Sequence, residues 1–196
     1  LFYDTTAQQL LIDVWKRLAT RYKDVEEIWA YDLVNEPAED SWHDGVMTLD
    51  SLYEIMVTEI RKIDTGKVII LEPGWGIASR LVNFIPVGAR NGWNHDKIVY
   101  SIHCYDPFEL THQGIVGNYP PFGAVYPGRI AGTDWDIDRL RIALQPAVDF
   151  QKKYRVPFYV GEFSCVRWAN QKSAIRWLTD AISLFEEHGW DWTYHA

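Results

Sequence analysis

The sequence predicts one domain with a parallel α/β fold. After an initial helix, strand-like and helical segments alternate along the chain, and the strand-like segments are short, apolar and rich in β-branched residues. Such strands are typical of a parallel sheet that helices cover on both faces. The 196 residues are sufficient for one domain with a sizeable core, and no linker, repeat or low-complexity segment divides them.

The individual elements follow from hydrophobic spacing and capping residues. A first helix is predicted over 6–22, because Asp4, Thr5 and Thr6 can cap it and apolar residues recur at helical spacing. Further helices are predicted over 48–64, around 78–84, over 136–154 and over 170–189. The helix over 136–154 is predicted to bend at Pro146. Five strands are predicted over 28–35, 67–73, 97–105, 156–164 and 190–194, and 106–135 is predicted to be a loop.

Composition narrows the possible classes of function. The net charge of −8 argues against nucleic acid and anionic membranes as partners, and no apolar run is long enough to cross a membrane. No signal peptide is visible, although the chain does not begin with Met. Cys104 and Cys165 have neither disulfide-framework nor metal spacing, so we expect no metal or other cofactor. The ten Trp and eleven Tyr suit sugars, but they suit protein interfaces as well.

Polar residues gather at the carboxyl ends of the predicted strands. The stretch "AYDLVNEPAE" ends the first strand in Asn35 and Glu36, although an unpaired carboxylate beside a core is costly. The third strand carries His103 and Tyr105, and the fourth carries Glu162. In a parallel α/β fold this edge of the sheet is where active sites lie.

Glu36 and Glu162 form the pair of carboxylates that glycoside hydrolysis requires. One carboxyl must donate a proton to the leaving oxygen, and the other must be ionised to attack the anomeric carbon. His103 and Tyr105 alternate on a strand and therefore point the same way. The imidazole can hold the acid, the phenol can donate to the nucleophile, and Asn35 could hold a sugar hydroxyl.

Three motifs resemble those of glycoside hydrolase family five, the cellulase family of clan A. "YDLVNEP", "SIHCYDP" and "VPFYVGEFS" are similar to the family's fourth, sixth and seventh strand motifs. The resemblance implies a retaining enzyme, secreted or periplasmic, on a (β/α)₈ TIM barrel. It implies that Glu36 is the acid/base and Glu162 the nucleophile, supported by Asn35, His103 and Tyr105.

The same resemblance implies that residues 1–196 are the carboxyl-terminal part of one catalytic barrel, from about its third helix to its eighth strand. The first three strands and the last helix would then be absent, together with an Arg and a His that the family places in its site. Five strands cannot close a barrel and leave two unpaired sheet edges. We therefore expect another segment or another chain to complete the barrel, and the 196-residue chain alone not to be a stable monomer.

Further binding candidates stand in the loops. Trp75, in "PGWG", is at least as well placed to stack on a sugar as to pack, whereas a structural role is favoured for Glu72. At the last strand Trp192 and His195 both remain candidates for the floor beneath the sugar. The other histidines are predicted to be solvated loop or helix-end residues, namely His43, His95, His112 and His188. Four tryptophans are predicted to be core residues, namely Trp15, Trp29, Trp177 and Trp190.

The predicted function is that of an endo-acting glycosidase that cleaves β-1,4-linked glucan. The alternatives are a β-mannanase, a xyloglucan-type hydrolase, or a catalytically inactive chain that only binds carbohydrate. Release of reducing sugar separates the enzymes from the binding protein.

Overall fold

The computed structural model describes residues 1–38, 43–90, 92, 96–117 and 119–195, with only the backbone of Gln171. His95, predicted to be solvated, lies outside the described residues. The helices are α1 Thr5–Tyr22, α2 Leu49–Arg61, α3 Phe108–Thr111, α4 Ile137–Tyr154 and α5 Ser173–Glu187. Short 3₁₀ helices span Gly74–Gly76, Ala78–Val82 and Asn170–Lys172. The strands are β1 Ala30–Asp32, β2 Val68–Leu71, β3 Ile98–Cys104, β4 Gly128–Ile130, β5 Thr133–Trp135, β6 Phe158–Phe163 and β7 Asp191–Tyr194.

Five strands form one parallel sheet in the order β1-β2-β3-β6-β7. The prediction of alternating helices and five parallel strands is confirmed, although each strand is shorter than expected. The prediction of a plain loop over 106–135 is wrong, because this stretch contains α3 and the antiparallel hairpin β4–β5. Strands of three residues and a helix of four are too short to produce a readable hydrophobic period.

Side-chain caps fix the starts of the two longest helices. The Asp4 carboxylate accepts the Thr6 N–H at the start of α1, and the Asp136 carboxylate accepts the Arg139 N–H at the start of α4. Both bonds satisfy donors that lack a partner within the helix. Helix α4 continues through Pro146 as one element of 18 residues.

The core lies between the sheet and its helices. Trp177 and Trp190 are buried there and Trp15 is partly buried, as predicted, but Trp29 is 64% exposed and its prediction is wrong. The reason is that β1 begins only at Ala30, so that Trp29 precedes the sheet. Trp15 donates its indole N–H to the Leu33 carbonyl at 3.0 Å and thereby ties the chain after β1 to α1. None of the described helices combines the length and apolarity needed to cross a bilayer.

Strands β1 and β7 are the edges of the parallel sheet. Asp32 of β1 and all four residues of β7 are exposed. The carboxyl ends of β1, β2, β3 and β6 lie side by side, and the functional candidates follow these ends.

Candidate active site

A cleft of about 710 Å³ opens at the carboxyl ends of the strands. Five of the predicted site residues line it, namely Glu36, Trp75, Tyr105, Glu162 and His195. Most of the remaining wall comes from α3 with the residues that follow it and from the loop after β6, which includes Ser164 and Trp168. The cleft thus joins loops that are far apart in the sequence.

The two predicted catalytic carboxylates lie close together. One carboxylate oxygen of Glu36, one of Glu162 and a ring nitrogen of His103 all lie within 4.8 Å of one another. Retaining glycosidases hold their carboxyls about 5–5.5 Å apart, whereas inverting enzymes need roughly 6.5–9.5 Å to admit a water molecule. A separation of the nearest oxygens within 4.8 Å is compatible with the shorter of these two spacings.

Glu162 owes its place to an irregularity of the sheet. The register between β3 and β6 shifts after Ile102, so that His103 pairs with Glu162 instead of Gly161. A Cβ atom on Gly161 would lie 2.8 Å from the Ser101 hydroxyl, so a larger residue here would require the Ser101 side chain to move. The irregularity redirects the side chain at the strand end, as bulges near active sites commonly do.

Glu36 is held by its backbone as well as by its side chain. Its φ angle of 43° lies in the left-handed region, which costs a non-glycine residue about 1–3 kcal/mol unless its surroundings fix it. The Glu36 N–H donates to Oε2 of Glu72 at 2.9 Å. The Trp75 N–H donates to the Pro37 carbonyl at 2.9 Å, so the loops after β1 and β2 hold each other.

His103 is buried between the carboxylates. Its Nδ1 lies 2.7 Å from Glu36 Oε1 and 3.6 Å from Glu162 Oε2, and its Nε2 lies 3.2 Å from Glu72 Oε1. Burial lowers the pKa of His103, but the hydrogen bond and charge of Glu72, the hydrogen bond of Glu36 and the charge of Glu162 outweigh this effect and raise the pKa to about 9. At neutral pH His103 is therefore an imidazolium that donates to Glu36.

Tyr105 connects Glu162 to His195. The phenol donates to Glu162 Oε2 at 2.9 Å and lies 3.0 Å from His195 Nδ1. Because the single phenol proton goes to Glu162, Nδ1 of His195 must be the donor to the phenol oxygen. Burial and then the hydrogen bond and charge of Glu162 raise the pKa of Tyr105, so it stays protonated.

The remaining predicted residues separate into two groups. Trp75 lines the cleft and is 37% exposed, and His195 lines it with its Nδ1 3.6 Å from Glu162 Oε2. Trp192 instead donates its indole N–H to Glu186 of α5 at 2.9 Å and lies outside the cleft lining. Asn35 is exposed beside Glu36 and is also outside that lining.

His112 was predicted to be a solvated loop or helix-end residue, and it does lie at the end of α3, but its ring is only partly solvated. The half-buried ring lines the cleft, stacks on Phe108 at 4.1 Å and meets the edge of Tyr105 at 4.8 Å. Burial lowers its pKa. Trp168 was not singled out, yet it lines the cleft and its indole N–H donates to the Gln113 carbonyl. These residues stand in irregular loops, where no sequence period indicates them.

Among the described residues, Glu36, His103 and Glu162 are the group that could hold a metal ion. A protonated imidazole cannot coordinate a metal. Each ring nitrogen of His103 already contacts a carboxylate, that of Glu36 or that of Glu72. A metal would therefore have to displace a proton at neutral pH.

Known proteins are similar to this chain over nearly its whole length. The family model described as "Cellulase (glycosyl hydrolase family 5)" matches residues 2–196. Endoglucanase C of Acetivibrio thermocellus is 30% identical over 99% of this chain, and Cellodextrinase A of Ruminococcus flavefaciens is 24% identical over 96% of it. The match covers 62% of the first relative and 54% of the second, so the chain spans little more than half of the curated relatives it matches.

Solved structures give the same result. Endoglucanase Cel5A from the hyperthermophilic Thermotoga maritima superposes with a TM-score of 0.78 at 30% identity, covering 99% of this chain and 60% of that one. A hyperthermophilic endo-β-1,4-glucanase in complex with substrate superposes with a TM-score of 0.81 at 27% identity, covering 96% and 58%. The five-stranded parallel sheet is thus part of a (β/α)₈ barrel, and the chain belongs to glycosyl hydrolase family 5, the cellulase family.

Proposed function

We propose that the protein is a retaining, endo-acting glycoside hydrolase that cleaves β-1,4-linked glucan by double displacement. Glu36 is the acid/base and Glu162 the nucleophile. The observation that carries this proposal is the position of the two carboxylates, whose nearest oxygens lie within 4.8 Å at the floor of an open cleft. The endoglucanases among the relatives support the choice of substrate.

In the first step an oxygen of Glu162 attacks the anomeric carbon of the bound sugar. The glycosidic bond breaks, and Glu36 gives its proton to the leaving oxygen, so that a glycosyl ester of Glu162 forms and the aglycone departs. The phenol of Tyr105 holds one Glu162 oxygen and leaves the other free to attack. His103 holds Glu36 Oε1, which leaves Oε2 to carry the proton.

In the second step water replaces the aglycone. Glu36, now a carboxylate, takes a proton from this water, whose oxygen attacks the anomeric carbon and releases Glu162. The imidazolium of His103 stabilises the negative charge on Glu36 between the two steps. The two inversions together retain the configuration of the sugar.

Aromatic and polar residues around the cleft supply the substrate contacts in this proposal. Trp75 stacks on a sugar ring, Asn35 holds a hydroxyl beside the reacting carbon, and His195 contributes to the floor. Trp192 would serve there only after leaving Glu186. A β-mannanase is the second candidate, since a 28% identical Thermotoga maritima Cel5A has been solved in complex with mannotriose.

We further propose that residues 1–196 act as the carboxyl-terminal part of a catalytic barrel in a secreted or periplasmic protein. Strands from another segment or chain would then pair with the free edges of β1 and β7. The mass in solution of a protein limited to these residues tests this part. A monodisperse monomer with a cooperative thermal transition would contradict it.

The stereochemistry of the product tests the mechanism. The full-length protein is mixed with cellohexaose, and the anomeric protons of the first product are followed by NMR, in parallel with mannohexaose and xyloglucan oligosaccharides. The β anomer should appear first and faster from cellohexaose. Early α anomer would contradict a double displacement, and binding of cellohexaose without any product would support a carbohydrate-binding protein instead.

A further inference from the structure

Glu72 is a buried carboxylate that the mechanism above does not use. It follows β2, is 1% exposed and is absent from the lining of the cleft. It therefore does not touch the substrate. A carboxylate this deep is costly unless its oxygens are satisfied, so the identity of its partners indicates its role.

The two partners of Glu72 are the backbone of Glu36, the proposed acid/base, and His103, which contacts the Glu36 carboxylate. Oε2 accepts the backbone N–H of Glu36 at 2.9 Å. Oε1 lies 3.2 Å from Nε2 of His103, whose other nitrogen contacts the Glu36 carboxylate at 2.7 Å. One side chain thus holds Glu36 directly through its main chain and indirectly through the imidazole.

The surroundings of this contact are closed. Gly76 has a φ angle of 62°, and a Cβ there would lie 3.2 Å from Glu72 Oε2 and 3.2 Å from Cγ of His103. Backbone thus covers the carboxylate and the ring where a side chain would push them apart. The arrangement excludes water and makes the charge of Glu72 act strongly on His103.

We propose that Glu72 is a positioning residue for the acid/base, which fixes the backbone of Glu36 and keeps His103 a proton donor to its carboxylate. The inference rests on the proposed function, because it assigns Glu72 to the same reaction. A purely structural carboxylate would stabilise the fold without changing how Glu36 handles its proton. The two roles differ in what they predict for turnover and for the titration of His103.

The ionisable groups that act on His103 come from several elements. Glu36 and Glu72 contact it from the loops after β1 and β2. Glu162 lies nearby at the end of β6, and Tyr105, directly after β3, faces it with its ring edge. Asp32 of β1 also interacts with it electrostatically. Glu72 is the most buried of the carboxylates in contact with His103, so its removal should lower the pKa of His103 more than a change at the rim of the cleft.

The test compares Glu72→Gln with wild type in the full-length protein. Glutamine keeps the shape and an acceptor for the Glu36 N–H but removes the charge. The matched control is Glu54→Gln, because Glu54 also accepts a backbone N–H, that of Gly88 at 2.8 Å, and does not line the cleft. Turnover is measured on aryl β-cellobiosides with good and poor leaving groups, and the His103 ring is titrated by NMR.

We expect kcat of Glu72→Gln to fall about 10- to 100-fold on poor leaving groups, the size expected when a hydrogen bond to a charged group is lost. The loss should be smaller on good leaving groups, and KM should stay within about twofold because Glu72 does not touch the substrate. The pKa of His103 should fall, because the charge of Glu72 that favours the imidazolium is gone. Glu54→Gln should match wild type in every measurement.

Unchanged turnover and an unchanged His103 titration in Glu72→Gln would overturn the proposal. An equal loss on good and poor leaving groups would also overturn it, because it would indicate general damage. If Glu72→Gln does not fold, Glu72→Asp decides in the same way, since its shorter side chain cannot reach both partners. A wild-type protein without hydrolytic activity would overturn the proposed function itself. An active wild type, with a Glu72→Gln variant whose turnover and His103 titration are unchanged, would overturn only the role of Glu72.

Discussion

The two carboxylates of the site are held by different kinds of neighbours. Glu36 contacts an imidazolium, which in turn contacts the buried carboxylate of Glu72. Glu162 accepts the phenol of Tyr105, whose oxygen faces the exposed His195. In the proposed reaction Glu36 must gain and lose a proton, whereas Glu162 must stay ionised, and the neighbours differ accordingly.

The backbones of Glu36 and Glu162 are also held in different ways. Glu36 has a left-handed φ angle after β1 and depends on contacts from the next loop to hold it. Glu162 belongs to β6 and pairs with His103 of β3 within the sheet. The proposed acid/base is therefore a loop residue fixed by polar contacts, and the proposed nucleophile is fixed by the ladder of the sheet. This difference predicts unequal responses to mutation.

The largest effect is expected for Glu162→Ala, which removes the nucleophile. Turnover on aryl β-cellobiosides should fall by about 10⁴-fold or more, because no other group can form the covalent intermediate. Azide should fill the space that the carboxylate leaves and restore part of the rate, giving a glycosyl azide of inverted configuration. The product is identified by NMR, and no rescue by azide would argue against Glu162 as the nucleophile.

Glu36→Ala should show a smaller and more selective loss. General acid catalysis contributes about 10²- to 10⁴-fold, and it matters most when the leaving oxygen is strongly basic. The loss should therefore be large on alkyl and unsubstituted phenyl cellobiosides and small on dinitrophenyl cellobioside. The slope of log kcat against the leaving-group pKa measures the difference, and equal losses across the series would refute the acid role.

Much of the fold was predictable because each strand is a short apolar run followed by a helix with regular spacing. The strand-end positions of Glu36, His103, Tyr105 and Glu162 followed from that alternation, and the structure brings their side chains together. The hairpin β4–β5 and helix α3 were missed, because elements of three or four residues bury too little to leave a pattern. The spacing of apolar residues therefore predicted those helices and strands that belong to the parallel sheet or pack on it.

The contacts between loops could not be predicted in the same way. His112 packs on Tyr105, and Trp168 bonds to Gln113, because α3 and the loop after β6 meet at the cleft. Glu72 was ambiguous because its meaning depends on the backbone of Glu36, 36 residues away in the sequence. The choice between Trp192 and His195 likewise depended on which side of β7 each side chain takes.

The acid/base half of the site should make folding stability depend on pH. The pKa of His103 in the folded protein is raised to about 9, above the value of about 6.5 for an unfolded chain. Its contribution is therefore complete below about pH 6.5 and is lost as pH rises through about 9, at most ~3 kcal/mol in all. Urea unfolding of the full-length protein between pH 6 and pH 9.5 should show this decline.

His103→Gln provides the control for this pH dependence. Glutamine can still bond to Glu36 but carries no charge at any pH in the range. The variant should be less stable than wild type at pH 6 and should approach it near pH 9.5. Parallel stability curves for the two proteins would show that the contacts of His103 with Glu36 and Glu72 do not stabilise its charged form.

The smallest effect is expected on the side of the nucleophile, for Tyr105→Phe. This variant removes one hydroxyl, and a hydrogen bond to a charged group contributes about 1.5–3 kcal/mol, so kcat should fall about 10- to 100-fold. Because Tyr105 acts on Glu162, the loss should not depend on the basicity of the leaving group, in contrast to Glu36→Ala.

The basic limb of the pH profile of Tyr105→Phe should also stay in place, since the pKa of Tyr105 is raised and the phenol does not ionise in the working range. Kinetics on the same series of aryl cellobiosides give both results. A loss that grows with leaving-group basicity would place Tyr105 with the acid/base, and the distinction between the two halves of the site would then be wrong.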